Sequence, residues 1–200
     1  MKYPENIQAV ASLMPDYMGF IFYEKSGRYV QDLTFESLSL PEEIKKTGVF
    51  VNVSSEKITQ IATTYRLDAI QLHGNETPED CSFLREKGFE IIKSFSIKEK
   101  EDLLRTAPYS SSCDFLLFDT PTAQYGGSGK KFDWSMLQHY HGETSFFLSG
   151  GIAPEDVDEV LKFNHPSFYG IDINSRFEIK PGMKDFQQVK KFIFNIREKA

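Results

Sequence analysis

Short apolar, β-branched or aromatic runs recur along the 200 residues at intervals of about 20 to 30 positions. They are Tyr17 to Phe22, Gly48 to Val51, Ala69 to Leu72, Glu90 to Phe95, Phe115 to Phe118, Ser145 to Leu148 and Phe168 to Ile173. Near-continuous rather than alternating hydrophobicity marks strands buried on both faces. Helix-start signals lie between them, at Ser54-Ser-Glu-Lys-Ile58, Thr77-Pro-Glu-Asp80, Asp133 to Leu137 and Pro154-Glu-Asp-Val157. A closing segment from Asp185 to Lys199 carries phenylalanine and isoleucine at helical spacing.

Alternation of this kind predicts a parallel sheet covered by helices, either open and doubly wound or closed as a (β/α)8 barrel. Polar residues choose between the two. Asp119, Gly150 with Gly151, His73 with Gly74, and Asp172 fall at strand C-terminal ends spread along most of the chain. The catalytic face of a barrel requires that spread, whereas a doubly wound sheet gathers such residues at one switch point. Pro4 to Leu13 breaks the pattern, because its helical spacing and early proline open the chain on a helix with no strand ahead of it. The expected fold is therefore an α/β (β/α)8 TIM barrel with the first β-strand missing from this chain. Seven parallel strands and their helices would form one N-terminally incomplete domain over residues 1–200. Two unpaired edges beside a gap predict lowered stability and non-native association.

An apolar content of 40% is enough for one substantial core, while a net charge of −6 argues against nucleic acid as a partner. No apolar run is long enough to span a bilayer, and Met1 to Asn6 lacks the apolar core of a signal peptide, so a cytoplasmic protein with no membrane partner is expected. The two cysteines, Cys81 and Cys113, have no metal-ligand spacing and read as reduced packing residues.

The run from Gly126 to Trp134, just past the strand that ends in Asp119, reads as a phosphate cradle beside a catalytic acid. Closely spaced glycines let the amides of Gly127, Ser128 and Gly129 approach an anion, although a flexible turn has the same composition. Gly150 and Gly151 lead into a helix opened by Pro154, which is either a second anion-binding turn or an ordinary tight connection. Together the two loops can hold one phosphate from both sides, as barrels do after their last strands. Arg28, just past the first run, suits two parallel hydrogen bonds to a carboxylate, or is a surface arginine. His73 faces the expected mouth, as a substrate contact or as a loop-stabilising residue. Asp172 is placed for hydroxyl groups and Ser175 and Arg176 for phosphate, unless they form a polar turn.

In order and spacing, Tyr17 to Phe22 with Arg28-Tyr-Val30, Gly48 to Asn52, Leu67 to Gly74, Leu117-Phe-Asp119, Gly126 to Trp134, Gly150-Gly151 and Pro181 to Asp185 resemble the phosphoribosylanthranilate isomerase family of tryptophan biosynthesis, nearly end to end. The resemblance implies an Amadori rearrangement of N-(5-phosphoribosyl)anthranilate to 1-(2-carboxyphenylamino)-1-deoxyribulose 5-phosphate, without metal or organic cofactor, by a monomer or homodimer acting on a small phosphorylated substrate. It assigns Asp119 the general acid, Arg28 the anthranilate carboxylate, Asp172 the sugar or amine, and Gly127, Gly129, Gly151, Ser175 and Arg176 the phosphate.

Departures accompany the likeness. The family opens on a strand ending Lys-Ile/Val-Cys-Gly-Met, whose cysteine is the general base, and this chain has no such segment. Met1 is accordingly expected to be an internal methionine, with about seven or eight residues, one strand's length, upstream. The chain as given is expected to be inactive or impaired. Gly27 replaces the family's usual proline, and Arg176-Phe177 its usual Gly-Val. The alternatives are a non-catalytic barrel that binds phosphorylated ligands, or a related enzyme such as indole-glycerol-phosphate synthase or a pentose-phosphate epimerase. Those chemistries need catalytic lysines or metal-binding histidine and acid sets, for which Lys93 and a solitary His73 are thin support.

Overall fold

The structure is a computed structural model that describes residues 1–30, 40–120 and 133–199. Strands β1 (Tyr17–Ile21), β2 (Lys45–Phe50), β3 (Ala69–Leu72), β4 (Glu90–Ser96), β5 (Phe115–Asp119), β6 (Phe146–Leu148) and β7 (Phe168–Ile171) pair in chain order in one parallel sheet. Every apolar run became a strand. β2 starts earlier than its run, at Lys45, which pairs with Tyr17 of β1 and whose ammonium is also held by the Glu90 carboxylate at 2.5 Å and lies over the Tyr17 ring.

Helices α1 (Pro4–Ala11), α2 (Ser55–Thr64), α3 (Pro78–Glu86), α4 (Val157–Lys162) and α5 (Phe186–Lys199) accompany the strands. The Ser54 hydroxyl caps α2, and Thr77 with Asp80 forms a reciprocal capping box on α3, so orphan amides are satisfied where the sequence predicts helix starts. Two connections are 3₁₀ instead. Trp134–His139 buries Trp134 and Leu137, and Lys100–Tyr109 buries Leu103 and Thr106. Both pairs have the three-residue period of a 3₁₀ turn rather than an α-helical stripe. A short antiparallel hairpin, β8 (Glu178–Lys180) with β9 (Met183–Lys184), turns at Gly182 with φ +82°.

Alternate residues along the strands feed two cores. Phe50, Leu72, Leu116, Phe118 and Phe146 pack outward among the covering helices, while Ile92, Leu117 and Phe147 form a separate cluster on the inner face of the sheet. Two apolar faces, one inward and one outward, are what a barrel wall requires. The sheet is not closed among the described residues, since β1 and β7 are its two ends. Between them opens a cavity of about 680 Å³ lined by Met18, Gly19, Gly170, Ile171 and the Phe192 and Ile196 face of α5. The Met1 amine sits here and donates to the Gly19 carbonyl at 2.5 Å.

Candidate active site

The cavity continues to the C-terminal ends of the strands, where β3 delivers His73 and β5 delivers Asp119. His73 Nε2 lies 3.4 Å from Asp119 Oδ2, and its Nδ1 lies 3.2 Å from the Gln71 amide. Asp119 Oδ1 accepts the Thr120 amide proton at 2.7 Å, so Oδ2 is the oxygen that faces the cavity histidine. Gly150 closes over this carboxyl with φ +86°. A Cβ there would fall 2.4 Å from the Thr120 nitrogen and 2.7 Å from Asp119 Oδ1, so glycine is demanded by both conformation and space.

Asp172 follows β7 and accepts the Ser149 hydroxyl at 2.9 Å. Burial pushes its carboxyl above the ordinary aspartate range, and the Asp119 charge adds to that effect while the Ser149 hydroxyl, Lys184 and His73 oppose it. Two acids, from the ends of β5 and β7 on either side of β6, thus share one pocket.

A charged hub stands behind this pocket. Lys184 Nζ donates to the Asn174 carbonyl at 3.0 Å, the Asn174 side-chain oxygen at 2.6 Å and Glu178 Oε1 at 3.2 Å. Glu178 in turn accepts Arg28 through Nε at 3.0 Å and Nη2 at 2.6 Å. Burial works to raise the Glu178 carboxyl, but Arg28 and Lys184 outweigh it and hold it below its ordinary range, while burial lowers Lys184. The Met1 amine beside the hub is brought down to about 5, by burial first and then by Lys184.

His73, Asp119, Gly150, Gly151, Asp172 and Ser175 therefore line one cavity. Arg28 and Arg176 are not part of that lining. Arg28 is taken up by Glu178, and Arg176 is exposed, while its neighbour Phe177 is a core residue packed on Phe192. Gly127, Ser128 and Gly129 lie outside the described residues. Sequence reasoning did not single out Gln71, Ser149, Glu178 or Lys184. The first two carried a signal, a polar residue next to a flagged strand end, but the Arg28–Glu178 pair spans 150 positions and left none.

Lys93 is not on the cavity. Its ammonium is buried against Glu76 and the carbonyls of Leu72, Gly74 and Ser94, which gives it a structural role and removes the basis for a synthase-type lysine. Among the described residues, no cluster of histidine, cysteine and acidic groups could hold a metal ion, and no helix is long and apolar enough to cross a membrane.

A parallel, barrel-type sheet that gathers an acid, a histidine and two left-handed glycines at its C-terminal ends defines an enzyme of the (β/α)-barrel class. Residues 1–195 match the family model described as N-(5'phosphoribosyl)anthranilate (PRA) isomerase, and the chain belongs to that family. It is 50% identical over 203 residues to the N-(5'-phosphoribosyl)anthranilate isomerase of Parabacteroides distasonis, an alignment covering 100% of this chain and 92% of that protein. The crystal structure of phosphoribosyl anthranilate isomerase from Thermotoga maritima is similar with a TM-score of 0.84 and 34% identity, covering 99% of this chain and 96% of that one. A phosphoribosyl anthranilate isomerase crystallised with reduced 1-(o-carboxyphenylamino)-1-deoxyribulose 5-phosphate gives a TM-score of 0.79 at 31% identity, covering 98% and 94%.

Proposed function

We propose that this protein acts in tryptophan biosynthesis as a phosphoribosylanthranilate isomerase in the cytoplasm, converting N-(5-phosphoribosyl)anthranilate to 1-(2-carboxyphenylamino)-1-deoxyribulose 5-phosphate without a cofactor. The convergence of Asp119, His73 and Gly150 on one cavity carries this reading. Asp119 is the general acid. With Oδ1 occupied by the Thr120 amide, the transferable proton belongs on Oδ2 and passes to the ribose ring oxygen, opening the ring to a Schiff base. His73, 3.4 Å away, orients that oxygen. Asp172, biased toward its neutral form by burial, donates to a sugar hydroxyl or holds the amine. Gly150, Gly151 and Ser175, with Gly127, Ser128, Gly129 and Arg176, are assigned the phosphate, and Arg28, oriented by Glu178, the anthranilate carboxylate.

Loss of the C2′ proton then completes the rearrangement and needs a base. Cys81 and Cys113 are both core residues off the cavity, so residues 1–200 bring no thiol to it. The family resemblance assigns that base to a cysteine on a strand, and residues 1–200 hold no counterpart of it. Residues 1–200 by themselves are therefore expected to bind ligand and to turn over slowly. Calorimetric titration with the reduced product analogue tests the assignment. One-to-one binding that inorganic phosphate competes away is expected, and a folded chain that binds no analogue would overturn it.

A further inference from the structure

Gln71 stands behind the histidine that faces the general acid. It lies two residues before His73 at the end of β3, so both side chains leave the same, inner face of the sheet and line the cavity. The backbone that carries them is fixed. The His73 amide donates to the Phe50 carbonyl at 2.9 Å, and Lys93 Nζ donates to the carbonyls on either side of His73, those of Leu72 at 3.1 Å and Gly74 at 2.8 Å. What remains to be set is the position of the ring proton.

A neutral imidazole has one nitrogen that donates and one that accepts, and its two partners decide which is which. Gln71 Nε2 lies 3.2 Å from His73 Nδ1 and 3.3 Å from the hydroxyl oxygen of the buried Ser94, so each of its two hydrogens has an acceptor. An amide nitrogen offers hydrogens only. Nδ1 is then the accepting nitrogen, and the ring proton sits on Nε2, facing Asp119 Oδ2 at 3.4 Å. The opposite tautomer would set a bare Nε2 against Oδ2 and draw the transferable proton to the imidazole instead of the ribose oxygen. With its proton on Nε2, His73 does not compete for that proton, and it stabilises the carboxylate left after the transfer.

We propose that Gln71 is a positioning residue that fixes His73 as the Nε2–H tautomer, so that His73 donates to Asp119 Oδ2 and leaves the acid's proton free for the substrate. This inference rests on Asp119 being the general acid, and Gln71 acts in it only through His73.

Nitrogen-15 spectra of the histidine rings in the full chain test it, with His73→Asn assigning the His73 signals among the four histidines. In the neutral ring the expected signals are a protonated Nε2 and an unprotonated Nδ1. Gln71→Met keeps the length of the side chain without a donor, and should shift the tautomer ratio toward Nδ1–H by about two- to tenfold, the net worth of one hydrogen bond. Gln71→Glu sets an acceptor against Nδ1 and should place a proton there. A wild-type ring protonated mainly on Nδ1 would overturn the proposal. So would a bare Nδ1 in folded Gln71→Glu, or an unchanged ratio in folded Gln71→Met. The spectra need no substrate, so the expected signals from a folded chain that binds no product analogue would overturn the functional reading and leave the Gln71 assignment standing.

Discussion

Lys93→Met isolates one buried charge whose loss can be sized from the structure. The side chains of Lys93 and Glu76 are each 3% exposed, and their 3.2 Å ion pair ties β4 to the loops that leave β2 and β3. Lys93 Nζ also donates to the carbonyls of Gly74 at 2.8 Å, Leu72 at 3.1 Å and Ser94 at 3.3 Å. Glu76 accepts the amides of Asn52 at 2.7 Å and Gly74 at 2.9 Å. Methionine fills the volume of the lysine stem but strands the carboxylate, and removing one partner of a buried pair costs about 3–5 kcal/mol. Because two amides still solvate Glu76, the lower end applies, about 3 kcal/mol. For a chain of this size that corresponds to a melting temperature lowered by about 6–12 °C. Adding Glu76→Gln removes the stranded charge, keeps an oxygen for one amide, and is expected to recover half or more of the loss. Urea and thermal melts of the two single variants and the double variant make the measurement. If Lys93→Met lost less than about 1 kcal/mol, or if the two losses simply added, the pair would not be the anchor of these loops.

Gly150→Ala forces a Cβ against the Thr120 amide and Asp119 Oδ1 and a side chain into the left-handed region, which alone costs about 1–2 kcal/mol. Calorimetry should show analogue affinity down by about tenfold or more, as Asp119 is displaced. Asp172 and Glu178 should show opposite pH behaviour. Asp172 has a raised carboxyl in the fold, so its ionisation destabilises the fold, and Asp172→Asn should stabilise at neutral pH with the gain vanishing below the ordinary carboxylate range. Glu178 is held low, so Glu178→Gln should lose stability at neutral pH, and the loss should shrink as acid protonates the wild-type group through its depressed range. Denaturant midpoints against pH read both, and parallel profiles would contradict the assignments. A variant extended ahead of Met1 by an apolar strand should melt higher than residues 1–200, because the β1 and β7 edges then gain a partner. Equal melts would refute that.

Much of the fold was legible because a strand buried on both faces writes itself as an unbroken apolar run, as Phe115 to Phe118 does. The 3₁₀ segments were harder. Lys100 to Tyr109 buries only Leu103 and Thr106 and contains Pro108, so it carries no helical stripe. The β8–β9 hairpin rests on three residues and two, too few to show a period. At the site, Asp119, His73, Asp172 and the glycine pair were visible as polar or small residues at the ends of apolar runs. Glu178 was not, since its meaning lies in Arg28, 150 positions away, and neither was Lys184, whose partners Asn174 and Glu178 meet it across a hairpin too short to show a period. Lys93 inside an apolar run was a visible oddity, but only the loop carbonyls around it show why it is there.

Turnover tests the proposal that residues 1–200 assemble the acid and the binding pocket but not the base. Isomerase turnover, followed as loss of phosphoribosylanthranilate fluorescence, should be compared between this chain and a version extended by a strand carrying a cysteine two residues before Met1. Full turnover is expected from the extended protein, and from residues 1–200 a rate lower by about 10²–10⁴, the usual contribution of a general base. Equal turnover by the two, with both shown to be folded, would contradict it.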